Sequence, residues 1–141
     1  MAEQCALKDA TTIWNAAGIL GADDRAGCAI IWLLRGLGHG ILITDGEEKG
    51  SLSVEEMART NPELLAELNS RYQFMVQIDR RNRADFKCYD VGTDEFRSYV
   101  AEMTGFQEPD QRSSTDIRHL AQDICGVNLS CGYQHEQMVV L

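Results

Sequence analysis

No two cysteines of this 141-residue chain are spaced as CxxC, and the five present, Cys5, Cys28, Cys88, Cys125 and Cys131, are an odd number and far apart. Such spacing suggests neither a disulfide framework nor a thiolate zinc site. Most of them sit in apolar runs and read as small buried hydrophobes. No apolar run reaches the roughly 18 residues that a membrane span needs. The opening MAEQCALKD has neither the basic flank nor the apolar core of a secretory signal. Basic residues are the minority charge, 13 Lys and Arg against 22 Asp and Glu, for a net charge of −9. That balance argues against nucleic acid and against anionic membrane surfaces as partners. Repeats and low-complexity linkers are missing as well. These absences predict one domain over 1–141, in a cytoplasmic or otherwise reducing location.

What the chain does have is acid-rich turns at the ends of apolar runs. In LITDGEEKG, an apolar run ends at Thr44 and a polar turn carries Glu47 and Glu48. GADDRAG places Asp23 and Asp24 just before CAIIWLLRGL, where Asp24 can cap the helix that follows. That helix, 25–37, is apolar on nearly all sides and is expected to be buried. Residues 3–17 read as helix-compatible, and 40–44 as a buried strand. Ser53 with Glu56 reads as a capping box, Pro62 opens a second helix, and FMVQI over 74–78 reads as a strand ending in Asp79. A strand is expected over 86–91 and a helix over 93–104 closed by Gly105. A further helix runs from a cap at Thr115 or Asp116 through Ile124, and the last strands are 127–131 and 138–141. Alternation of strands and helices predicts an α/β fold with a mostly parallel sheet, whose sites lie at the carboxyl ends of strands.

Asp23, Glu48, Asp79 and His135 then form a set of three carboxylates and one imidazole. The mix suits zinc or a similar divalent ion, and a shared carboxylate can bridge two ions. Glu47, adjacent to a ligand, can take a proton from a metal-activated water, which is the chemistry of metal-assisted hydrolysis. The ordinary fate of the same residues is a solvated acidic loop at Glu47-Glu48, a helix cap at Asp24, a turn at Asp79 and an exposed loop His135.

GADDRAG, TDGEEKG, the strand ending in Asp79 with DRRN behind it, STDI, and VNLSCGY followed by a His occur in this order from Leu20 to Leu141. The series resembles the zinc-dependent exopeptidases of the M20/M28/M42 type, with the tripeptide-aminopeptidase-like proteins the nearest look. The resemblance implies a three-layer α/β/α catalytic domain with a mostly parallel central sheet, truncated and without a lid domain. It implies one or two zinc ions, with manganese or cobalt as alternatives. Asp23 would bridge the ions, Glu48 and His135 would bind one, and Asp79 would bind the other. Glu47 would be the general base. The implied activity is exopeptidase or aminopeptidase hydrolysis of a peptide or amide small-molecule substrate.

The departures have content too. None of the twenty-two residues before Asp23 is His, and His39 and His119 do not match the ligand position that the resemblance calls for. The ligands of one ion are therefore complete while the other lacks its His. The missing portion would have supplied strands, and a sheet edge or apolar face left open can be covered by a second subunit, so a homo-oligomer is expected. The alternative is a catalytically inactive remnant of the fold that acts as a binding or assembly module. Cys125 or Cys131 near His119 or His135 offers a thiol nucleophile on sequence nearness alone. Arg80 and Arg81 can neutralise an acidic site or bind a substrate carboxylate. Trp14 and Trp32 are assigned to packing.

Overall fold

The computed structural model describes residues 6–16, 20–110, 113–134 and 138–140; the side chains of Ala6 and of 138–140 are outside the description. Within these residues the chain is a mixture of helices and small sheets, as the α/β class requires. Contacts group it into two compact units. The first holds 1–41, 78–85 and 129–141, and the second holds 42–77 and 86–128.

The first unit opens with strands β1 (Ala6–Lys8) and β2 (Thr12–Asn15), paired antiparallel with Leu7 opposite Trp14. This corrects the helix expected over 3–17. Asp9 decides the matter locally: its carboxylate accepts from the backbone N–H groups of Thr11 (2.7 Å) and Thr12 (2.8 Å), which folds the chain into a tight turn. Thr12, Ile13 and Trp14 then favour the pleated conformation over a helix. β2 pairs antiparallel with β7 (Met138–Val140), and β7 with β6 (Tyr133–Gln134), so the sheet order is β1-β2-β7-β6. Helix α1 (Ala22–Leu34) follows, with non-helical dihedrals at Asp23 and Asp24, so its regular part starts at Arg25. Its inward face joins a small core of Ala22, Ala26 and Ile30 with Leu20, Ile78, Cys131 and Tyr133.

The other faces of α1 are not buried as expected. Trp32 is 64% and Leu33 78% exposed, and Trp32 stacks under the Arg35 guanidinium at 4.2 Å rather than packing into a core. A helix apolar all round needs neighbours all round, and among the described residues only one face has them. The strand expected over 40–44 does not form either: those residues have no regular structure, and Ile43 is 69% exposed. A strand exists through its ladder partners, and none is described for this segment.

The second unit is built mainly from helices. Helix α2 (Leu52–Thr60) begins after Ser51, so the capping box expected at Ser53 is not used; the Ser53 hydroxyl instead accepts from the Asp45 N–H. Helix α3 (Pro62–Arg71) has Pro62 in its first turn, where a missing N–H costs nothing. Helix α4 (Asp94–Thr104) is capped by Thr93 and closed by left-handed Gly105 (φ 69°). Helix α5 is only Ile117–Leu120. Val54, Leu65 and Leu120 form the core between these helices, with Met57, Ala58 and Met75 against them. Strands β3 (Phe74–Arg80), β5 (Cys125–Ser130) and β4 (Phe86–Lys87) make a second sheet in the order β3-β5-β4. β3 and β5 each contribute residues to both units.

Candidate metal centre

Three carboxylates converge in the first unit. One ligand oxygen each from Asp23, Asp24 and Asp79 lies within 4.8 Å of the others, and all three residues are half-buried. Asp79 comes from β3, where side chains alternate between faces. Arg80 therefore leaves on the opposite face, and its buried guanidinium pairs with Asp85 at 3.0 Å. Arg81 is exposed.

Asp23 and Asp24 come from the kinked start of α1, and the peptide between them is cis. Asp24 Oδ1 accepts from the Gly27 N–H at 2.9 Å, the bond an N-cap makes three residues into its helix. The capping role expected of Asp24 is the one it has. Gly27 is what lets the helix start approach β3. A Cβ built on it would lie 1.8 Å from the Ile78 carbonyl oxygen, next to Asp79. Only hydrogen fits there, so backbone meets backbone and the two strings of acids come together.

Two further side chains close the cluster, Tyr133 and Cys131, the second of which the sequence offered as a thiol nucleophile. Cys131 is buried, with its sulfur 3.7 Å from Asp24 Oδ1 and 3.5 Å from the Arg80 carbonyl oxygen. Burial, then the negative charge of Asp24, pushes its thiol up to about 12. It packs as a small hydrophobe against Ala22 and Tyr133. The buried Tyr133 phenol is likewise raised, by burial first and then by Asp23, to which it hydrogen-bonds. Cys28, one turn along α1 and exposed, is raised by desolvation and then by Asp24 and Asp79. Each thiol or phenol near the cluster feels its negative charge, as expected where like charges crowd a half-buried site. The sequence signals for Tyr133 and Cys131, their place in SCGY and the nearness of Cys131 to a His, say nothing about which helix they would face.

The other site residues expected from the sequence are elsewhere or undescribed. Glu47 and Glu48 belong to the second unit, on a short 3-10 turn, Glu47–Lys49, between left-handed Gly46 and Gly50. Glu47 is half-buried and Glu48 exposed. His135 lies outside the described residues. His39 is exposed, and His119 is half-buried on α5. Asp116 does not cap α5 through its side chain: its carbonyl accepts from the His119 and Leu120 N–H groups, while its carboxylate accepts from Thr44 at 2.6 Å.

The donor set suits a divalent cation. Carboxylate oxygens are hard ligands, the three acids arrive from two separate elements, and a cation relieves their mutual repulsion. Among the described residues, no helix is long and apolar enough to cross a membrane. In comparisons with known proteins, no family model matches this chain, and no curated protein or solved structure shows significant similarity to it.

Proposed function

We propose that this chain is a metal-dependent hydrolase that cleaves peptide or amide bonds, of exopeptidase or aminopeptidase type. The observation that carries the reading is the meeting of Asp23 with Asp79, residues 56 positions apart in the chain whose ligand oxygens nonetheless share one small volume with Asp24. These are two of the four metal ligands that the resemblance implies. Asp23 and Asp79 would hold the ion, zinc first and manganese or cobalt as alternatives. When bound, the ion supplies Lewis acidity, polarising a carbonyl and making water a better nucleophile. Asp24, engaged with the Gly27 amide, steadies the helix start that presents Asp23. The Tyr133 phenol, bonded to Asp23, restrains that carboxylate to one orientation. Glu47 is the general base that takes the proton from the attacking water, a role resting on the TDGEEKG motif. Glu48 and His135 complete the proposed ligand set on the same ground.

The reading carries the finer architecture with it, a three-layer α/β/α domain with a mostly parallel central sheet. It also carries a homo-oligomeric assembly and a cytoplasmic setting. The competing reading is an inactive remnant of the fold serving as a binding module.

One experiment separates them. Metal content is measured on protein purified without chelator, alongside Asp23→Asn, Asp79→Asn and Glu47→Gln. We expect one or two equivalents of zinc or manganese in the wild type, loss in both Asn variants, and retention in Glu47→Gln. Hydrolysis of a peptide and aminoacyl-nitroanilide panel should fall at least about a hundredfold in Glu47→Gln. A wild type that takes up no metal from excess zinc sinks the hydrolase and leaves the binding module.

A further inference from the structure

We infer that Asp116 is a positioning residue: through Thr44 it holds the turn that carries Glu47. The inference deepens the hydrolase reading, since it rests on Glu47 as the general base, and all its residues belong to the second unit.

The turn is secured unevenly. Downstream, it is tied into the start of α2 by backbone bonds from Lys49 and Leu52 to the Gly46 carbonyl (3.2 and 3.3 Å) and from Gly50 and Ser51 to the Glu47 carbonyl (2.9 and 3.0 Å). Upstream, the chain has no regular structure to rest on. Among the described residues, hydrogen bonds from Asp45 and Thr44 hold it there. Asp45 N–H donates to Ser53 Oγ at 3.2 Å, which ties the turn to α2 once more. Thr44 Oγ1 donates to Asp116 Oδ2 at 2.6 Å, and of the two this is the bond that reaches beyond α2.

Asp116 is a fixed point to be tied to. It is 3% exposed. Its neighbours are clamped to β3: Gln77 donates to Thr115 Oγ1 at 2.7 Å and accepts from the Ile117 N–H at 3.1 Å. Its second carboxylate oxygen, Oδ1, is buried with no hydrogen-bond partner among the described residues. Among the described residues the bond from Thr44 is thus the one this carboxylate makes, a short hydroxyl-to-carboxylate bond to a buried acceptor, where such bonds are strong. Asp116 does not use its side chain as a helix cap, so the tether is the role its geometry gives it. Thr44 stands three residues before Glu47, and left-handed Gly46 (φ 79°) reverses the chain between them. Cutting the tether frees the upstream arm and, with it, the placement of the base.

The test is a double-mutant cycle of Thr44→Val and Asp116→Ala, with Thr44→Ser as the variant that keeps the hydroxyl. Hydrogen exchange is followed at the amides of 49–52, with helix α4 as internal control, and kcat and KM are measured on aminoacyl-p-nitroanilides with added zinc or manganese. We expect faster exchange at 49–52 in Thr44→Val, unchanged α4, and near wild-type behaviour in Thr44→Ser. We expect kcat to fall on the order of ten- to a hundredfold in each single variant with KM nearly unchanged, the scale of a slightly misplaced catalytic group. The double variant should be no worse than the poorer single. The inference is overturned if Thr44→Ser is as impaired as Thr44→Val, if the two losses multiply, or if exchange at 49–52 does not change. A wild type that hydrolyses none of the substrates sinks the hydrolase reading by itself. The exchange comparison then decides the tether: acceleration in Thr44→Val but not in Thr44→Ser supports it, and no acceleration overturns it.

Discussion

Gly27 sits where any side chain would strike the Ile78 carbonyl, and the acidic cluster exists because nothing is there. A methyl group at 27 must push α1 away from β3 or distort Asp24, whose carboxylate oxygens would lie 2.6 and 2.5 Å from that methyl carbon. Gly27→Ala should therefore destabilise the fold by roughly 1–3 kcal/mol, the scale of overpacking, even though Ala is the better helix former. The urea midpoint measures the loss, and a zinc or manganese titration should show weaker binding in the same variant. An unchanged or raised midpoint would mean that the close approach of α1 and β3 is wrong. At this scale the sequence was readable where the physics is local. Asp24 caps its helix because the bond spans three residues, a spacing visible in DDRAG. Asp23 and Asp79 were grouped as ligands from their residue types at the ends of apolar runs, and the resemblance gave the same pair, but nothing local to either stretch brings them together. The part played by Gly27, Cys131 and Tyr133 was not visible, because it depends on which strand the helix lies against.

The elements divide along the same line. Helices α3 and α4 start and stop where Pro62, Thr93 and Gly105 say they should, since each signal acts on its own turn. The helix expected from 115 or 116 to 124 ends at Leu120, and a residue 51 positions away explains it. Buried Asn69, on α3, donates to the Leu120 carbonyl at 2.9 Å and accepts from the Gln122 and Asp123 N–H groups at 2.8 and 2.9 Å. It takes over hydrogen bonds that a continuing helix would have made for itself. No pattern in 115–124 can announce that. Asn69→Leu keeps the volume and removes the bonds, leaving two amides and a carbonyl without this partner. Leu120 is buried, but Gln122 and Asp123 are exposed and water can serve their amides, so at about 1–3 kcal/mol for a buried group left unsatisfied we expect roughly 1–3 kcal/mol of lost stability. Exchange at the amides of 122 and 123 should rise well before that of α4. If those two amides stay as protected as in the wild type, Asn69 is not what ends α5. The failed strand at 40–44 has the opposite cause: its apolar run predicts a buried strand, but a ladder needs a neighbour that the pattern cannot supply, and residues 40–43 are exposed instead.

For the whole molecule, the unexpected quantity is exposed apolar surface. Trp32, Leu33 and Leu37 in the first unit and Ile43 and Leu52 in the second are all more than half exposed. Single exposed hydrophobes are ordinary, but Trp32, Leu33 and Leu37 fall within one short stretch of the first unit, and exposed apolar surface of this kind is what a second copy would cover. Opposing this is charge: each chain carries −9, so two copies repel. The two forces respond to salt in opposite ways. Association through apolar surface, held back by like net charge, strengthens as salt screens the repulsion, whereas association through ion pairs weakens. We expect light scattering to show a dimer or larger species whose share grows between about 50 and 500 mM salt, a range over which the Debye length falls from roughly 14 to 4 Å. Leu33→Glu with Leu37→Glu should shift the protein to monomer at every salt concentration while leaving its helical circular dichroism intact, since neither side chain contributes to a core. A wild type that stays monomeric from micromolar to millimolar concentration removes self-association as the cover for this surface. An oligomer that dissolves as salt rises would place ion pairs, not the α1 hydrophobes, at its interface.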